Sequence, residues 1–174
     1  AYQKIIKSTM LITFVSMMIM AAIAKPLILT LIGEKWLTSV VYLQLLSFVG
    51  MLYPLHAINL NMLNVQGRSD LFLRLEIIKK ILAIPVIIIG ITLGIKMMII
   101  GMIFISLISY FLNSYYSGQL IGYSSRQQLK DILSSFVLAL FIGSVVYLIG
   151  LSLILPNYLI LIIQLIAGGV LFFS

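Results

Sequence analysis

Residues 132–174 read ILSSFVLALFIGSVVYLIGLSLILPNYLILIIQLIAGGVLFFS, and no lysine, arginine, histidine, aspartate or glutamate interrupts them. A helix rises about 1.5 Å per residue and needs roughly 20 apolar residues to cross a hydrocarbon core, so this stretch is too long for one crossing. Leu155-Pro156-Asn157 divides it, because proline lacks an amide hydrogen and biases the residue before it away from the helix. Two spans are expected, over 132–154 and 157–174.

The pattern repeats upstream. Between Lys35 and Arg68 the one His, Lys, Arg, Asp or Glu is His56, and between Lys96 and Arg126 there is none. Over the whole chain 63% of residues are hydrophobic and 9% charged, with a mean hydropathy of +1.24. A water-soluble protein of this size cannot hide that much apolar surface. The expected fold is all-α, a polytopic membrane helix bundle of about six transmembrane helices in a single membrane domain. Its spans cover 8–25, 37–65, 71–95, 97–123, 132–154 and 157–174, and an interfacial segment covers 26–36.

Local chemistry sets these boundaries. Lys25-Pro26 closes the first span, and Gly33-Glu34-Lys35-Trp36 is the mixture of glycine, charge and aromatic side chain found at a membrane interface. Pro54 should kink the second span. Gln66 to Asp70 forms a polar turn in which Ser69 or Asp70 can cap the next helix. Residues 81–95 are too few to cross alone and recruit the amphipathic, turn-rich approach 71–80, from which Lys79 and Lys80 snorkel outward. A second polar link is expected over 124–131.

The formal charge is +7, from 11 basic against 4 acidic residues. In a soluble chain this would raise nucleic acid as a partner; here the basic residues cluster at span ends, and no nucleic-acid partner is expected. Lys4, Lys7, Arg68, Arg74, Lys79, Lys80, Arg126 and Lys130 fall on one side, and Lys25, Lys35 and Lys96 on the other. Retention of basic residues in the cytoplasm then predicts that both termini of the segment are cytoplasmic. The absence of cysteine excludes disulfides and thiol chemistry. Lys4, Lys7 and Ala22-Ile23-Ala24 imitate a secretory signal, yet the run is long for a signal core and equally apolar sequence follows, so a first span is expected. The uncharged end at Phe172-Phe173-Ser174 predicts a fragment of a larger protein.

Polar side chains at membrane depth concentrate in Tyr53-Pro54-Leu55-His56-Ala57-Ile58-Asn59-Leu60-Asn61-Met62-Leu63-Asn64. At 100° per residue, Tyr53, His56, Asn59 and Asn64 share one broad stripe and Asn61 lies off it. Two readings stand side by side. The four line a path for polar cargo, with Pro54 as a hinge, or they hydrogen-bond between helices for on the order of 1 kcal/mol each. Arg68, Arg74, Lys79 and Lys80 can meet a phosphate or pyrophosphate head group at the cytoplasmic mouth, or simply obey the charge asymmetry of topology. Glu76 precedes Lys79 and Lys80 in the order that favours a local ion pair. No acid is expected near mid-bilayer in any span, no His, Cys or carboxylate cluster has metal-ligand spacing, and no catalytic motif, metal or cofactor is expected. Gly168-Gly169 predicts close helix packing.

The segment Pro26 to Trp36, followed by a polar-studded helix ending Asn64-Val65-Gln66-Gly67-Arg68-Ser69-Asp70, resembles the polysaccharide flippases of the Wzx type, in the multidrug/oligosaccharidyl-lipid/polysaccharide exporter superfamily. The resemblance covers nearly the whole chain and is firmest from Pro26 to Lys80. It implies the later six of about fourteen helices in two lobes, with an N-terminal lobe as intramolecular partner. It also implies transport, without covalent chemistry, of an undecaprenyl-pyrophosphate-linked oligosaccharide across the bacterial inner membrane for surface polysaccharides such as O-antigen or capsule. Lipid-linked oligosaccharide and membrane lipids are the partners implied. A multidrug efflux transporter of the same superfamily is the first alternative, and a membrane-embedded enzyme of polysaccharide assembly is the second.

Overall fold

A computed structural model describes residues 2–173. Seven α-helices and one short 3-10 turn make up an all-α bundle, with no strand among the described residues. They are α1 (Tyr2–Leu31), α2 (Ser39–Met51), α3 (Tyr53–Val65), α4 (Ser69–Leu93), α5 (Ile95–Ile121), α6 (Ser125–Ser152) and α7 (Asn157–Phe173). By length and composition, α1, the α2–α3 rod Ser39–Val65, α5 and α6 can each cross a membrane, and the chain is a membrane protein. Charge is what sets α4 apart, with Arg74, Glu76, Lys79 and Lys80 in its first half, whereas α7 is short at 17 residues.

At the centre stands α1, packed against α6, α2 and α7. Each of these partners presents a glycine to one turn of it, from a different side. A Cβ on Gly143 of α6 would lie 2.9 Å from the Cβ of Met18, one on Gly168 of α7 would lie 2.9 Å from Ile19 Cδ1, and one on Gly50 of α2 would lie 3.2 Å from Met17 Sδ. Removing a side chain from the facing helix is how membrane helices approach closely, since lipid is as apolar as the helix it replaces. Gly169 is different, with nothing within 4 Å of its would-be Cβ. Of the expected glycine pair, only Gly168 serves close packing.

The second unit is the α4–α5 hairpin, turned by the single residue Gly94 at φ 92°, ψ 168°. That backbone region is essentially restricted to glycine. The turn therefore falls two residues before Lys96. Gly90 meets Met98 and Gly101 meets Val86 across the hairpin, with would-be Cβ contacts of 2.8 and 2.9 Å.

Several boundaries differ from expectation for identifiable reasons. Residues 26–31 are not a separate segment but continue α1, which runs through Pro26; only Glu34–Trp36 forms a separate turn. Membrane helices tolerate an internal proline; Pro26 leaves the Ala22 carbonyl, four residues back, without its amide partner, and α1 continues to Leu31. Helix α4 likewise runs through Pro85, and its first turns replace the expected turn-rich approach over 71–80. Neither Ser69 nor Asp70 caps it: Arg68 holds the cap position, no side-chain cap bond forms, and Asp70 is bound to Arg68 instead. Residues 125–131 are the first turns of α6, started by a capping box in which Ser124 and Gln127 bond reciprocally. The break in the second rod falls at Leu52, leaving Pro54 in the first turn of α3, where its missing amide hydrogen strands no partner.

Candidate functional site

Because the rod breaks at Leu52, α3 leans on α5 and α4 and leaves a groove of about 480 Å³ among them. Tyr53, His56 and Asn61 of α3, Glu76 and Lys79 of α4, and Ser106 and Ser109 of α5 give it polar walls, and Val49, Phe72, Ala83, Met102 and Ile105 fill between them. His56 is held in place by Ser106, with Nε2 and Oγ 3.0 Å apart, while its Nδ1 is buried without a partner. Glu76 and Lys79 form an ion pair one helical turn apart, with side chains 33% and 17% exposed. That exposure leaves the pair partly screened and its charges available to a ligand entering the groove. Glu76 sits two turns into α4 and lines the groove.

The sixty-degree step from His56 to Asn59 carries Asn59 out of the groove into the bundle. There it is fully buried and every polar atom of its side chain is used. Its Oδ1 accepts from Tyr2 Oη at 3.0 Å and Ser117 Oγ at 2.6 Å, and its Nδ2 donates to the Leu55 carbonyl at 3.0 Å and Gln128 Oε1 at 3.1 Å. Gln128 in turn donates to the Tyr123 carbonyl at 3.2 Å. One amide thus ties α1, α3, α5 and α6 together. For Asn59 the interhelical reading holds.

Beside this knot, Tyr123 Oη donates to Asp131 at 2.8 Å, and Lys7 pairs with the same carboxylate at 3.1 Å. Tyr123 lies in the α5–α6 link, and burial, with the Asp131 charge beside it, pushes its phenol well above the ordinary tyrosine value. Tyr110 Oη donates to the Ser125 carbonyl at 2.7 Å, and Ser114 bonds Ser125 Oγ at 2.8 Å. A polar layer therefore closes the end of the bundle shared by the start of α1, the end of α5 and the start of α6.

Of the eight positions singled out in the sequence as path or head-group residues, the groove gathers three: Tyr53, His56 and Lys79. Asn64 is exposed near the end of α3, away from the groove, and Arg74 and Lys80 are exposed on α4. Arg68 is engaged by Asp70 through two bonds of 3.0 Å, which hold the Asp70 carboxyl down from 3.8 to about 2 and raise the guanidinium further. The four basic residues do not form one cluster around the groove. Asn61, off the expected stripe, does line it, as do Ser106 and Ser109; helical phase on α3 alone carries no information about α5. Among the described residues no three His, Asp or Glu side chains gather as a metal set. No family model, curated protein or solved structure matches the chain.

Proposed function

We propose that the chain is part of a Wzx-type polysaccharide flippase, carrying undecaprenyl-pyrophosphate-linked oligosaccharide repeat units from the inner to the outer leaflet of the bacterial inner membrane. The observation that carries this reading is the groove: a phenol, an imidazole, an amide, two hydroxyls and a paired ammonium and carboxylate are brought together among apolar side chains. Such groups suit a hydroxyl-rich cargo, and the ammonium of Lys79 suits its anionic phosphates. Nothing in this work requires a bond to be made or broken in the cargo; it requires a polar path and two conformations of the helices around it. The break at Leu52 and the one-residue turn at Gly94 supply points where α3 and the α4–α5 hairpin can tilt. In this reading the end bearing Lys4, Lys7, Arg68, Arg126 and Lys130 faces the cytoplasm, in accord with charge asymmetry.

Glu76 favours a second reading, extrusion of lipophilic cations by a related multidrug transporter, since a carboxylate at depth attracts cations. Its pairing with Lys79 tempers both charges alike, and the neutral polar groups around the pair, Tyr53, Asn61, Ser106 and Ser109, rank the flippase reading first. The test is the combined variant Tyr53→Phe, His56→Leu, Lys79→Met in the host cell. Loss of surface polysaccharide at normal membrane levels of the protein is expected. Undiminished polysaccharide rejects the assignment, and resistance to lipophilic cations that falls with Glu76→Gln transfers it to the multidrug reading.

A further inference from the structure

At the other end of the bundle a second cavity, of about 410 Å³, opens among the later part of α1, the start of α2, the end of α6 and the start of α7. It shares no residue with the groove. Its buried polar group is Gln164 of α7, 1% exposed. The Gln164 Nε2 donates to the Val146 carbonyl at 2.8 Å, while its Oε1 is buried without a partner. Gly150 makes room for this amide, since a Cβ at that position would collide with it. Polar atoms stranded inside a protein cost stability, so an acceptor held this way on a cavity wall points to a donor arriving from outside.

The other lining residues offer acceptors and, from Tyr147, Asn157 and Lys25, donors, the mixture that a hydroxyl group can meet from either side. Helix α6 ends at Ser152, so the Gly150 and Leu151 carbonyls have no amide of the next turn to accept from. Pro26 has no N–H to offer the Ala22 carbonyl one turn back. Gln44 uses its Nε2 on the Ala21 carbonyl, which leaves its oxygen for another donor. Lys25 contributes the cavity's one formal charge among the described lining residues, a positive one. Carbonyl acceptors alone would suit a cation, but Lys25 repels it. The volume lies within the roughly 300–1,000 Å³ of small-molecule sites.

We propose that this cavity binds an uncharged polyhydroxyl group, a sugar ring, whose hydroxyl hydrogen is accepted by Gln164 Oε1. The site stands independently of what the groove carries. The test uses the full chain in lipid nanodiscs with a probe, octyl glucoside bearing a diazirine on the sugar, and mass spectrometry of the labelled peptides. Labelling is expected within 147–164, displaced by unlabelled octyl glucoside and not by octyltrimethylammonium. Gln164→Leu should weaken it about tenfold, the equivalent of one good hydrogen bond. Asn157→Ala, an exposed change at the α7 start, should weaken it a few-fold without touching the interior, and reads the site even if Gln164→Leu fails to fold. Labelling that survives both variants, or that octyltrimethylammonium displaces equally well, overturns the proposal.

Discussion

The Asn59 side-chain nitrogen donates to Gln128 Oε1 at 3.1 Å, across 69 positions of sequence. Through that bond the helix that borders the groove is anchored to the helix that begins the last third of the chain. His56, one turn earlier on α3, reaches only the hydroxyl of Ser106. Neighbouring polar residues on one helix thus divide into a structural tie and a groove-facing group, and mutation should separate them.

Replacing Asn59 by Leu strands Tyr2 Oη, Ser117 Oγ and Gln128 Oε1 together. A loss of about 1–3 kcal/mol is expected, the cost of leaving buried polar groups unpaired, read as a lowered Tm in detergent. His56→Leu should change Tm far less while impairing transport. Equal Tm losses in the two variants would contradict this division.

Close packing on α1 gives a contrast within one residue type, glycine. Gly143→Val must displace Met18 and its backbone, and overpacking of this kind costs typically about 1–3 kcal/mol. Gly169→Val meets open space and should leave stability within about 0.5 kcal/mol of the parent. Thermal unfolding of the two proteins side by side provides the measurement.

The chain has no cysteine, so engineered pairs report cleanly. Gly90→Cys with Met98→Cys should crosslink readily across the hairpin. Adding Gly94→Val, which forces a branched side chain into a glycine backbone region at a cost of about 1–3 kcal/mol, should reduce that crosslinking severalfold. Unchanged yield would mean that the Gly94 turn does not hold the two helices together.

At low pH the Arg68–Asp70 pair should release. Its carboxyl is depressed in the folded chain, from 3.8 to about 2, so the stabilisation is fully present above pH 4 and disappears as pH falls from about 4 to 2. Both groups lie at the surface, so the effect is local. Carboxyl chemical shifts of Asp70 followed by titration should show the low midpoint, and Arg68→Gln should return it towards 4.

Hydropathy alone made the helical bundle legible, because apolar runs of membrane length have few other uses. Proline was the least informative marker. Pro54 lies beside a break, whereas α1 and α4 pass through Pro26 and Pro85, and proline by itself does not separate the two cases. The groove was half legible for a related reason. The phase of α3 singled out Tyr53 and His56 but grouped Asn59 with them, and only the position of α6 decides that Asn59 meets Gln128. Ser106, Ser109 and Glu76 carry no local mark of the cavity that they share, since it exists only once α3, α4 and α5 have met.

The three glycines that close on Met17, Met18 and Ile19 come from α2, α6 and α7, the last of them roughly 150 residues downstream by the chain numbering. During synthesis the first helix therefore enters the bilayer long before most of its own socket exists. Until α6 and α7 emerge, lipid coats that turn, and their arrival is the step that locks it. Truncations before α6 should leave α1 inserted yet loose, open to chaperones or proteases, which makes α6 and α7 the checkpoint for a helix laid down long before them.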